Sequence, residues 1–163
     1  MLHEAPQVLI ALEQSGLGAA IRQSAWAYPA ANVGHIVALT LFAGAVAVMD
    51  ARLLGAFAAA PPASVVRPAR RMAMLALALM AATGFMLFTA EASHVAMNPV
   101  FQIKATLISL GLLNALLIAR AVESVLDDTP AFAPLPGRIR LAAALSLAIW
   151  VAVAACGRLI AYF

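Results

Sequence analysis

Apolar and polar positions fall into long blocks along this chain. Four blocks are almost wholly apolar, at about residues 29–53, 72–91, 99–120 and 140–160, and polar clusters separate them. Each supplies roughly 20 residues, enough for a helix to cross a hydrocarbon core about 30 Å thick. The pattern predicts an all-α, membrane-spanning, antiparallel four-helix bundle, since short connections favour up-down-up-down packing. Ahead of it, residues 4–23 place Val8, Leu9, Leu12, Ala19 and Ala20 on one side and Glu4, Gln7, Glu13, Gln14 and Arg22 elsewhere. This segment is expected to be an amphipathic helix lying in the interface, weakened by Gly16 and Gly18.

The boundaries carry their own signals. Trp26 and Tyr28 suit the headgroup zone before the first span. Asp50 and Arg52 mark its far end, where they are expected to pair with each other or with loop arginines. Pro61-Pro62 ends the helix, and 63–71 reads as a basic connection holding Arg67, Arg70 and Arg71. Glu91-Ala-Ser-His94 closes the second span. Asn98-Pro99 turns into the third, since proline is tolerated in a first helical turn. Residues 121–138 read as a loop, with Glu123, Asp127, Asp128, three prolines and Gly137.

Composition sharpens this picture. The chain is 65% hydrophobic and 10% charged, against about half and a quarter in soluble domains. The net charge of +3 is carried mostly by arginine at the ends of spans, so it indicates membrane topology and not nucleic acid. Positive-inside counting puts both basic connections in the cytoplasm and both termini in the periplasm of a bacterial inner membrane. No cleaved signal peptide is expected, because the first residues carry Glu4 and no Lys or Arg. The single Cys156 excludes an intrachain disulfide and reads as a buried thiol. No Gly-x-Ser-x-Gly, phosphate loop or Cys-x-x-Cys is present.

Ionisable groups inside spans are costly and mark candidate sites. Measured from the basic ends at about 1.5 Å per residue, His35 lies about 26 Å up, Lys104 about 24 Å and Arg158 about 27 Å. Together they form a layer in the outer third of the membrane. Such a layer suits a haem, with imidazole as the axial ligand and cations for the propionates. His35 is the first ligand candidate. His94 is the second, although the same ruler places it about 9 Å higher; Met97 and Lys104 are fallbacks. Lys104 and Arg158 would neutralise propionates, or snorkel to the interface. Asn32 would orient His35. Gly34, Gly84 beside Thr83, and Gly111 would let a flat ring approach, or mark close helix packing. A surface copper or zinc site using His3, Glu91 and His94 is the metal alternative.

The segments Trp26-Ala-Tyr-Pro-Ala-Ala-Asn-Val-Gly-His35 to Asp50-Ala-Arg-Leu-Leu-Gly55, and Asn98-Pro-Val-Phe-Gln-Ile-Lys104 with Asn114, resemble a family of small bacterial four-span proteins. The arrangement is similar, more distantly, to the HemJ-type protoporphyrinogen oxidases and the CopD membrane domain. In the HemJ-type family a histidine on the first span and a lysine on the third are associated with haem b. The resemblance thus implies haem b at His35 and Lys104, without carrying over the oxidase reaction. The expectation is an electron-transfer protein near the periplasmic face, serving a quinone or a periplasmic redox carrier and possessing lipid-facing surface for a homodimer. A copper-handling transporter component and a cofactor-free assembly subunit are the competing classes.

Overall fold

The structure is a computed structural model, and it describes residues 5–160 and Tyr162. Seven helices are formed and no strand occurs among the described residues: α1 Gln7–Glu13, α2 Gly16–Gln23, α3 Ala27–Leu54, α4 Pro62–Ala90, α5 Ala92–Met97, α6 Pro99–Leu126 and α7 Gly137–Leu159. α3, α4, α6 and α7 are each long and apolar enough to span a bilayer. The chain is a multi-pass membrane protein whose outer faces meet lipid.

The helices do not pack as a closed square. α3 lies along α4 and also touches α7, and α7 lies along α6, whereas α4 and α6 barely approach one another. The order across the bundle is therefore α4–α3–α7–α6, with a groove between its two outer helices. A small-residue face on α3 and α4 (Ala38, Ala45, Ala73, Ala76) allows close approach, the usual means of packing where lipid removes any hydrophobic drive between helices. At the arginine-rich end, Leu53, Val66, Val122, Leu126, Ile139 and Ala143 form a core with Leu135 of the loop.

Two spans are longer than the apolar blocks predict. Pro61-Pro62 starts α4 instead of merely ending α3, because proline at the first helical position loses no hydrogen bond. Arg67, Arg70 and Arg71 consequently stand on helix, not in a loop. α6 likewise runs on to Leu126 and carries Glu123. Arg67 bonds Glu123 at 2.6 Å and Asp127 at 2.8 Å, and Arg70 bonds Glu123. These ion pairs tie α4 to α6 across the groove. The expected partnership of Asp50 and Arg52 is not made. Arg52 is 1% exposed and donates from Nε and Nη2 to the Ala60 carbonyl at 3.1 and 2.9 Å. It thereby fastens the loop that follows Gly55, whose φ of +114° closes α3 in the left-handed region.

The N-terminal segment is two helices where one was expected. The Ser15 hydroxyl caps α2 by accepting from Gly18 N at 3.2 Å and donates to Leu12 O. A Cβ at Gly18 would lie 2.4 Å from the Glu13 carbonyl oxygen, so glycine permits this fold-back. Both helices dock on the far end of the bundle. Arg22 donates to the carbonyls of Glu13 and Ala90 at 2.7 and 2.9 Å. Glu13 accepts from the Ser93 amide at 2.8 Å and from its hydroxyl. Val8 and Leu17 remain exposed, as an interfacial element requires.

The Ser93 hydroxyl and amide, aided by Arg22, hold the Glu13 carboxyl below its ordinary value of 4.5. A lowered folded-state value contributes stability that is complete above pH 4.5 and lost as pH falls through the lower value. The docking of α1 on α5 should therefore be intact at neutral pH and loosen below about pH 4.5. The Ser93 amide protection factor in hydrogen exchange should drop over that range, and Glu13→Ala should show the low protection at every pH.

Candidate functional site

The groove is lined by one stripe from each span. On α3, His35, Phe42 and Met49 follow at intervals of seven, with Val46 and Leu53 offset by four. The α6 stripe includes Lys104, Gly111, Ala115, Ile118 and Val122. α4 contributes Arg70, Ala73, Leu77 and Gly84, and α7 contributes Ala143, Ser146, Trp150 and Gly157. The groove has two levels separated by aromatic rings: Phe42 meets Trp150 edge-on, with centroids 4.6 Å apart and planes at 76°.

The level nearer the termini holds His35. Its Nδ1 lies 3.0 Å from Thr83 Oγ1. With that hydroxyl's one proton given to the Leu79 carbonyl at 2.8 Å, it would accept from His35. The neutral ring then carries its proton on Nδ1, and Nε2 keeps the lone pair. The ring edge rests on α4, where a Cβ at Gly84 would stand 3.1 Å from His35 Cε1. Lys104, half-buried, lays its ammonium over α7, 3.5 Å from where a Gly157 Cβ would be. The glycines expected to admit a flat ring are thus occupied by side chains. Gly84 is filled by the His35 ring and Gly111 by the Trp150 indole, 3.0 Å from a hypothetical Cβ. Gly34 faces the Thr83 methyl at 3.4 Å.

The remaining candidates do not converge on His35. Asn32 is exposed, and it is Thr83 that orients the imidazole. His94 is exposed on α5, beyond the break at Glu91 and ten residues past Gly84, so the two histidines are not brought together. Met97 is also exposed at the end of α5. Arg158 turns outward, with its guanidinium 4.8 Å over the Tyr162 ring and bonded to that phenol. Glu91 accepts from the Tyr28 hydroxyl at 3.3 Å, and His3 lies outside the described residues. No three His, Cys, Asp or Glu side chains converge as a metal set among the described residues.

The second level was missed by sequence reasoning. It is a cavity of about 150 Å³ on the arginine side of the Phe42–Trp150 pair, reaching all four spans. Its polar lining is Asp50, Arg70, Asn114 and Ser146. Asp50 is 2% exposed, and its Oδ2 has no hydrogen-bond partner among the described residues. The signal was legible: an acidic residue two positions inside the last charge of a span meets the same criterion that singled out His35.

A family model described as a family of unknown function, DUF6644, matches residues 13–163, and the chain belongs to that family. No curated protein and no solved structure matches the chain.

The tautomer is directly checkable. Nitrogen chemical shifts of labelled histidine should report His35 protonated at Nδ1 when neutral. Thr83→Val should remove that bias and mix the tautomers, because the ring loses its acceptor. A wild-type ring protonated at Nε2 contradicts the geometry.

Proposed function

Membership of a family of unknown function leaves the assignment to the residues, and we propose that this chain binds one haem b at His35 and carries electrons. The membrane is a bacterial inner membrane, the arginine end is cytoplasmic and both termini are periplasmic, by the positive-inside distribution. The observation that supports this reading is the 3.0 Å contact of His35 Nδ1 with Thr83 Oγ1: with the Thr83 proton given to the Leu79 carbonyl, the ring proton falls on Nδ1 and Nε2 is left as a lone-pair donor. Metal-bound histidines ordinarily have their other ring nitrogen fixed in this way.

The residues fit this group in part. Among the described residues, His35 Nε2 would hold the iron and Lys104, half-buried in the bundle, would meet a propionate. No second histidine among those residues joins them, and Arg158 is engaged by Tyr162. When bound, the haem iron supplies one-electron chemistry. Thr83 orients the imidazole, Lys104 would offset propionate charge, and the surrounding apolar spans would exclude water. The electron partner is a quinone or a periplasmic carrier.

Protein purified in detergent from haem-replete cells should show a Soret band that shifts on dithionite reduction. His35→Ala should lower the haem-to-protein ratio at least tenfold while the protein still inserts. An unchanged spectrum in that variant moves the ligand elsewhere. A colourless wild type overturns the reading, in favour of copper handling if it carries stoichiometric copper and of a cofactor-free subunit if it carries no metal.

A further inference from the structure

The cavity below the Phe42–Trp150 pair holds a buried acceptor that the fold leaves unmet. At the arginine end, Arg67 and Arg70 face Glu123 and Asp127, two positive against two negative charges, all engaged with one another. Arg70, the one cation on the cavity wall among the described residues, is therefore committed to Glu123. Asp50 is left over. It sits in the same wall, 2% exposed, with Oδ2 unpartnered and with no ion pair among the described residues. A buried acceptor left without a donor costs free energy comparable to a lost hydrogen bond, and more if charged.

The space around it is suited to one chemical class. The volume, about 150 Å³, is roughly that of an engineered protein cavity that takes up a benzene molecule. The walls are apolar apart from the four polar residues, and two aromatic rings close one end. Met74 on α4 and Leu112 on α6 line the cavity yet are 57% and 36% exposed, so the mouth lies on the lipid-facing side, between α4 and α6 and inside the Arg67–Glu123 ion pair at one end and the Phe88–Phe101 stack at the other. Asn114 spends an N–H on the Ala142 carbonyl at 3.0 Å and retains its own oxygen as a further acceptor. A single ring bearing an ammonium group supplies what is missing: a positive charge, N–H donors for Asp50 and a face for Trp150.

We propose that this cavity binds a membrane-soluble, one-ring ammonium compound, its ring against Phe42 and Trp150 and its nitrogen on Asp50. The site is separate from His35, and the proposal does not rest on haem being bound.

Trp150 is the reporter. Trp26, the other tryptophan, is 82% exposed, so a Trp26→Phe background in nanodiscs isolates the cavity signal. Titration with benzylamine at pH 7, where it is benzylammonium, should change Trp150 fluorescence saturably. Asp50→Asn should weaken that binding at least tenfold and leave toluene binding unchanged. Benzyl alcohol, nearly the same shape without the charge, should bind the wild type at least tenfold more weakly than benzylamine; this arm needs no variant to fold. His35→Ala should bind benzylamine like the wild type. Equal binding by Asp50→Asn, or preference for benzyl alcohol or hydroquinone over benzylamine, overturns the proposal. So does a Trp150 signal that benzylamine does not alter.

Discussion

Lipid offers no hydrogen bonds, so a polar group carried into a span depends on partners inside the protein or on a bound ligand. That requirement organises this bundle. Thr83 bonds back to its own helix and also meets His35 Nδ1 at 3.0 Å. Arg52, almost wholly enclosed, spends two donors on one loop carbonyl. The polar groups need a shared interior, and the open order α4–α3–α7–α6 provides one as a groove. Ion pairs bridge its arginine end, and α1 and α2 cover the ends of α4 and α5 beyond the other.

Two levels of chemistry occupy that groove. One presents an imidazole nitrogen with its proton state set by Thr83. The other presents a carboxylate oxygen with no donor. The edge-on contact of Phe42 with Trp150 divides them, and glycine at 111 makes the division possible by clearing space for the indole. Aromatic contacts of this kind add about 0.5–1.5 kcal/mol beyond their buried area, so the partition is a stable wall. An intramembrane histidine near one face and an intramembrane aspartate near the other can therefore act on different ligands within one small bundle.

Much of the architecture is legible in the residues. Long apolar runs identify the four spans, and Asn98-Pro99 marks the start of α6, where the asparagine side chain accepts from the amides of Val100 and Phe101. The ends of α4 and α6 are less legible. Arg67, Arg70 and Glu123 look like loop residues because they are charged, but the two helices neutralise each other's charges, and such pairing is a tertiary fact. The glycines mislead for a related reason. Gly84 and Gly111 do signal close approach, yet what approaches is the His35 ring in one case and Trp150 in the other. Which side chain fills a notch on a neighbouring helix depends on rotation and register that apolar periodicity does not encode. Asp50 was open to the rule that selected His35; its placement beside Arg52 disguised it as half of an end-of-span pair.

The account depends on the groove between α4 and α6 being open to lipid. With Trp26 replaced by phenylalanine, Trp150 is the only tryptophan left, and phospholipids brominated along their acyl chains quench indoles they can reach. The account predicts strong quenching of Trp150, greatest for bromines at the depth of the ring, although this residue sits between spans. Fluorescence indifferent to brominated lipid would mean that α4 and α6 close over the interior, and it would contradict the open groove.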